Sequence, residues 1–119
     1  MKENEIKEVS QVLEYKGIKY NMVFNLNVMQ DIQEEYGTLD KWGELTSQAE
    51  PNAKAVIFGF MAMLNEGIDI ANEESEEKIK PLTLKQVGRM ITDIGLAEST
   101  NKLQKAVVES TNTDDEKNV

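Results

Sequence analysis

Apolar and polar residues alternate between Leu13 and Phe24, then change to helical spacing. With Lys16-Gly17 as a two-residue turn, Tyr15 faces Ile18, Glu14 faces Lys19 and Leu13 faces Tyr20. One face of the resulting hairpin then carries Leu13, Tyr15, Ile18, Tyr20, Met22 and Phe24, and the other carries the Glu14/Lys19 charge pair. A slip of one residue would scatter both sets, so pattern and register agree. Lysine is not the preferred first residue of such a turn.

Past Phe24 the spacing becomes three and four. Asn25 is the expected cap, with Asn27 the alternative, and Phe24 is placed to staple onto Met29. Met29, Ile32 and Tyr36 follow along one stripe until Gly37 ends the helix. Thr38 opens a short second helix with Leu39, Trp42 and Leu45 on one side. After Pro51 and Asn52, a central helix is predicted from Ala53 to about Asn65, apolar on nearly all sides. It is either a core helix or a helix with one face reserved for a partner. Gly59 in its middle costs up to about 1 kcal/mol relative to alanine and implies a closely packed neighbour.

The stretch from Glu66 to Glu77, with six carboxylates and no cation, reads as a solvated helix end running into an acidic loop. Thr83-Leu84-Lys85-Gln86 forms a capping box opening a helix whose stripe is Leu84, Val87, Met90 at its edge, Ile91 and Ile94, stopped by Gly95. A last helix begins at Leu96 or Ser99 and runs to Glu109, with Leu103, Ala106 and Val107 at core spacing. The expected fold class is α+β: a small N-terminal β-hairpin packed on a mainly α-helical domain of four to five helices. Tyr20, Phe24, Ile32, Trp42, Phe58, Met61, Val87 and Ile91 form its predicted core. Residues 11–110 make the single domain, 1–10 a mobile lead and 111–119 a disordered polar tail.

Composition narrows the chemistry. The 119 residues contain no Cys and no His. That excludes thiolate nucleophiles, disulfides, Cys-ligated metals and any Ser-His-Asp triad. Thirteen Lys and Arg against 22 Asp and Glu leave a formal charge of −9, which argues against a nucleic-acid backbone or an anionic membrane as partner. The longest nonpolar run, Ala55 to Leu64, is about half of the roughly 20 residues that span a bilayer. The N-terminal stretch lacks the apolar core of a signal peptide, so a cytosolic location is expected. Asp31, Glu34 and Glu35 near Tyr36 fall on a polar helix side, where charge is ordinary. The acidic loop lacks the D-x-[DN]-x-[DN]-G order of an EF-hand. The seven glycines are scattered and form no phosphate loop. No catalytic, cofactor or metal residue is assigned. An acidic DNA mimic or other inhibitory interaction module is one reading, although the densest carboxylate cluster is confined to one short segment.

The order of features, a YKGIKYNMVF hairpin, an LNVMQDIQEEYG helix, a short helix, the apolar AKAVIFGFMAMLNEG helix with its acidic continuation and a PLTLKQVGRMI helix, resembles the tail assembly chaperones of long-tailed bacteriophages and prophages. The resemblance covers roughly residues 12 to 108. It implies a non-enzymatic factor that binds the tape measure protein, keeps its long apolar helices soluble and helps recruit tail tube subunits. It further implies action in the host bacterial cytoplasm, absence from the mature virion, and the shorter of two frameshift-related products. The candidate partner-binding residues are Phe58, Phe60, Met61 and Met63 on the central helix and Glu73, Glu74, Glu76 and Glu77 in the acidic continuation. An open strand edge and an incompletely covered central helix make a homo-oligomer expected as well.

Overall fold

Two residues with positive φ, Lys16 at +52° and Gly17 at +80°, close the N-terminal hairpin, the backbone that a tight two-residue turn requires. The structure, a computed structural model, describes residues 8–111; residues 112–119 of the expected tail and 1–7 of the expected lead lie outside them, while Thr111, assigned to the tail, instead closes the last helix. Strand β1 (Val9–Tyr15) pairs antiparallel with β2 (Ile18–Phe24) in the register read from the sequence, Tyr15 opposite Ile18, Glu14 opposite Lys19 and Leu13 opposite Tyr20. Leu13, Met22 and Phe24 are buried on the inward face, whereas Ile18, beside the turn, is 51% exposed.

β1 begins earlier than expected. Val9 and Ser10, assigned to the mobile lead, pair with Phe24 and Val23, and Val9 is buried. The polar residue that interrupts the apolar alternation, Gln11, donates its side-chain amide to the Lys102 carbonyl at 3.0 Å. A polar group at an inward position is thereby satisfied by an element 91 residues away.

Five helices follow: α1 (Leu26–Tyr36), α2 (Leu39–Ser47), α3 (Ala53–Glu74), α4 (Leu84–Ile94) and α5 (Leu96–Thr111). Their ends are set by the expected chemistry. The Asn25 side-chain oxygen accepts from Asn27 N and Val28 N, Thr38 accepts from Lys41 N, and Thr83 and Gln86 make a reciprocal capping box. Gly37 and Gly95 stop α1 and α4 at φ +92° and +108°. In α1, Val28 is buried with Ile32, while Met29 and Tyr36 are half-buried.

The largest departure is in α3. It does not end near Asn65 but continues through the acidic stretch to Glu74, a helix of 22 residues. Two asparagines, two helical turns apart, hold the returning chain along it. Asn65 donates to the Leu82 carbonyl and accepts from Leu82 N, at 3.0 and 2.8 Å. Asn72 does the same with Ile79, both at 2.9 Å. β2, α1, α2, α4 and α5 all pack on α3. Its Ala55, Val56, Phe60, Met63 and Leu64 are fully buried.

Both glycines of α3 mark close approaches. At Gly59 a Cβ would overlap the Trp42 ring, whose indole N–H donates to the Ala55 carbonyl at 2.9 Å. At Gly67 it would overlap the Asn21 carbonyl of β2. Of the predicted core, Phe24, Ile32, Trp42, Val87 and Ile91 are buried, and Tyr20, Phe58 and Met61 are half-buried at its margin.

Candidate functional site

Lys54, Phe58, Met61, Asn65 and Asn72 follow one another on α3 at spacings of three, four and seven, so they share a single outward stripe. Lys54 on this stripe is exposed and the other four are half-buried. On one side of the stripe stands α1, on the other α4 and the return segment held by the two asparagines. Phe58 meets Tyr36 of α1 edge to face, with ring centroids 5.7 Å apart. On the opposite side Gly88 of α4 lies against Ile57, where an added Cβ would be 3.5 Å from Ile57 Cδ1.

The trough beside α1 has a volume of about 500 Å³. Phe58, Met61, Ala62 and Ile68 supply its apolar surface, and Asp31, Glu34, Glu35, Glu66 and Asp69 its acidic rim. Among the described residues no lysine or arginine lines it. Toward α4 the sign reverses. There Lys54, Lys85 and Arg89 surround Ile57, Leu84 and Gly88 in a shallower depression of about 650 Å³. Lys54 and Glu35 join the two walls at 3.7 Å, an exposed pair worth little by itself.

One member of the acidic rim, Glu66, is held in place rather than loosely solvated. The Glu66 carboxylate accepts from the Asn25 and Asn27 amides at 2.8 and 3.1 Å. Partial burial raises the Asp31 carboxyl above the ordinary aspartate range, reinforced by the charges of Glu34 and then Glu66. The Tyr36 phenol is raised as well, by burial first and by Glu35 second. Its oxygen is buried and has no hydrogen-bond partner among the described residues.

A carboxyl raised in the folded chain destabilises the fold when ionised, and that penalty disappears as pH falls through its folded pKa. Asp31→Asn is therefore expected to stabilise the chain at neutral pH by about 0.3 kcal/mol, a small figure because the site is solvent-screened. The gain should vanish near pH 3, where wild type and variant are both neutral there. Paired urea titrations at the two pH values check it; an equal gain at both would assign the effect to something other than charge.

The apolar quartet nominated from the sequence divides in two. Phe58 and Met61 line the trough, but Phe60 and Met63 point the other way and are 0% exposed. Their burial removes them from any contact surface of the folded chain. Helical periodicity gives the reason: residues 58 and 61 share a face with 54 and 65, while 60 and 63 share one with 56 and 67.

Glu73 and Glu74 are exposed on the last turn of α3, and Glu76 and Glu77 on the loop after it. None of these four lines the trough. The acidic residues that do line it include Asp31, Glu34 and Glu35, which by sequence were an ordinary polar helix side. Their role depends on which helix stands beside them.

Among the described residues no helix is long and apolar enough to cross a membrane. No group of three or more acidic side chains there is arranged to hold a metal ion. Compared with protein families, with curated proteins and with solved structures, the chain matches none.

Proposed function

We propose that this chain is a non-enzymatic tail assembly chaperone of the long-tailed phage kind. It binds the tape measure protein in the host bacterial cytoplasm, helps recruit tail tube subunits, and does not remain in the mature virion. The observation that carries this reading is the trough along α3, where Phe58 and Met61 remain partly exposed while Phe60 and Met63 of the same apolar run are fully buried. A holdase needs such an apolar contact surface and a like-charged exterior to keep the complex dispersed, and the net charge of −9 supplies the second.

The carboxylate rim also bears on the reading as an acidic DNA mimic. An apolar floor between the carboxylates has no counterpart on a duplex phosphate surface, and this favours a protein client.

Co-expression with the tape measure protein from the same gene cluster tests the proposal. The wild-type chain is expected to keep that protein in the soluble fraction. Burying the exposed part of Phe58 or of Met61 against a client is worth about 1 kcal/mol each, so Phe58→Ser with Met61→Ser should weaken binding about 30-fold. Circular dichroism must show that the double variant is folded. Glu73, Glu74, Glu76 and Glu77 changed together to Gln should have a smaller effect, because exposed charges are screened. A tape measure protein equally insoluble with and without the wild-type chain would overturn the reading.

A further inference from the structure

We infer that the trough between α1 and α3 is a receptor for one amphipathic helix, with an apolar stripe seated on Phe58 and Met61 and a Lys/Arg flank facing the α1 carboxylates. The inference rests on the chaperone reading only for the client's identity; the chemistry of the occupant follows from the site.

The trough runs along α3 from Phe58 to Asn72, about 21 Å at 1.5 Å per residue, the length of roughly four turns of a guest helix. Its walls are helix side chains and the return segment. The amides of Asn65 and Asn72 are engaged with the Leu82 and Ile79 backbone on that segment. The groove therefore presents no strand edge along its floor, so an extended peptide would find no ladder to join, whereas a helix can lay an apolar stripe into it. Because those asparagine pairs already fix the far wall, little reorganisation opposes docking.

Charge chooses among amphipathic helices. Asp31 and Glu34 stand one helical turn apart on α1 and face the same trough as Glu66 and Asp69 of α3. No cation among the described residues lines that side. An occupant bearing Lys or Arg along this flank would neutralise a row of like charges, and one bearing Glu would add to it. Lys85 and Arg89 on the α4 side disfavour cations there, which concentrates the basic flank on the α1 wall.

The test uses the full chain and three fluorescently labelled helical peptides that share one Leu/Ala stripe and differ only in having Lys, Glu or Gln flanks. By fluorescence anisotropy at low salt, the Lys-flanked peptide is expected to bind about tenfold or more tighter than the Glu-flanked one. At 0.5 M salt the gap should shrink to about threefold or less. Asp31→Asn with Glu34→Gln should weaken the Lys-flanked peptide and leave the Gln-flanked one unchanged. Phe58→Ser, folded by circular dichroism, should weaken all three.

Equal or tighter binding of the Glu-flanked peptide overturns the inference, as does an equal loss for the Lys- and Gln-flanked peptides in the carboxylate variant. Failure of all three peptides, with a dimer of the chain that Phe58→Ser dissociates, would also overturn it and make a second copy the occupant. If the peptides fail while co-expression still solubilises the tape measure protein, this inference falls and the chaperone reading stands. If the Lys-flanked peptide binds as expected while co-expression fails, the receptor stands and the chaperone reading falls.

Discussion

Gly67→Ala is expected to cost about 3 kcal/mol or to prevent folding, although alanine is the better helix former by about 1 kcal/mol. The added methyl group would overlap the Asn21 carbonyl oxygen and lie 2.9 Å from its carbon. Asn21 belongs to β2 and pairs with Val12 across the hairpin, so the obstructing atoms are backbone held in a ladder. They yield only if the whole hairpin lifts from α3, exposing Met22 and Phe24. In a domain of this size, with total stability of roughly 5–15 kcal/mol, that loss is a large fraction. Urea unfolding followed by the fluorescence of the single tryptophan measures it. Gly88→Ala is the control: among the described residues its Cβ meets only Ile57 Cδ1, at 3.5 Å, and it should be neutral or stabilise by up to about 1 kcal/mol. A Gly67→Ala variant within about 0.5 kcal/mol of wild type would mean that β2 and α3 are not in backbone contact.

Trp42→Ala should cost about 3–5 kcal/mol, the range for emptying a large aromatic site. The ring is 2% exposed, and its indole N–H donates to Ala55 O. It lies over Gly59, where a Cβ would overlap the ring and approach Cε2 to 3.0 Å. Size at position 42 and smallness at position 59 are thus one feature. Gly59→Ala alone is expected to destabilise by about 2 kcal/mol through overpacking. In a Trp42→Leu background, with space beside it, the same change should cost little, a coupling of about 1–3 kcal/mol between touching residues. Because the fluorophore is lost, the cycle is read by circular dichroism during urea unfolding. Additive effects would show that the ring and Gly59 are not in contact.

These two glycines illustrate how far the chain could be read without its neighbours. At Gly59 a small residue in a good helix pattern already implied a close partner, and Trp42 is that partner. Gly67 carried the same signal but lay in a stretch read as the approach to an acidic loop. Helix α3 was expected to stop near Asn65, because charge density rose and the apolar run ended there. The helix continues because Gly67 admits β2 and Ile68 is buried, while Asn65 and Asn72 bind the return segment. Those contacts join residues up to 46 positions apart, between Asn21 and Gly67, and local spacing does not reveal them.

The candidate site was legible in the same uneven way. Phe58 and Met61 could be nominated because aromatic and methionine side chains crowd an all-apolar helix, but Phe60 and Met63 were nominated on the same ground and lie in the core. The carboxylates of the acidic run were conspicuous by density, yet those beside the trough come partly from α1.

The hairpin register, the caps at Asn25, Thr38 and Thr83, and the stops at Gly37 and Gly95 were all readable from the chain alone. Each is a transaction among residues a few positions apart, settled by turn geometry, side-chain to backbone hydrogen bonds and positive φ. Which stripe of α3 stays open, and which carboxylates stand over it, is settled by the packing of β2, α1, α2, α4 and α5 around that helix. The run from Ala55 to Leu64 contains no polar residue to mark an outward face, so every side of that run is equally fit for burial. Exposure there is decided by where the surrounding elements leave a gap, and that depends on contacts between distant parts of the chain.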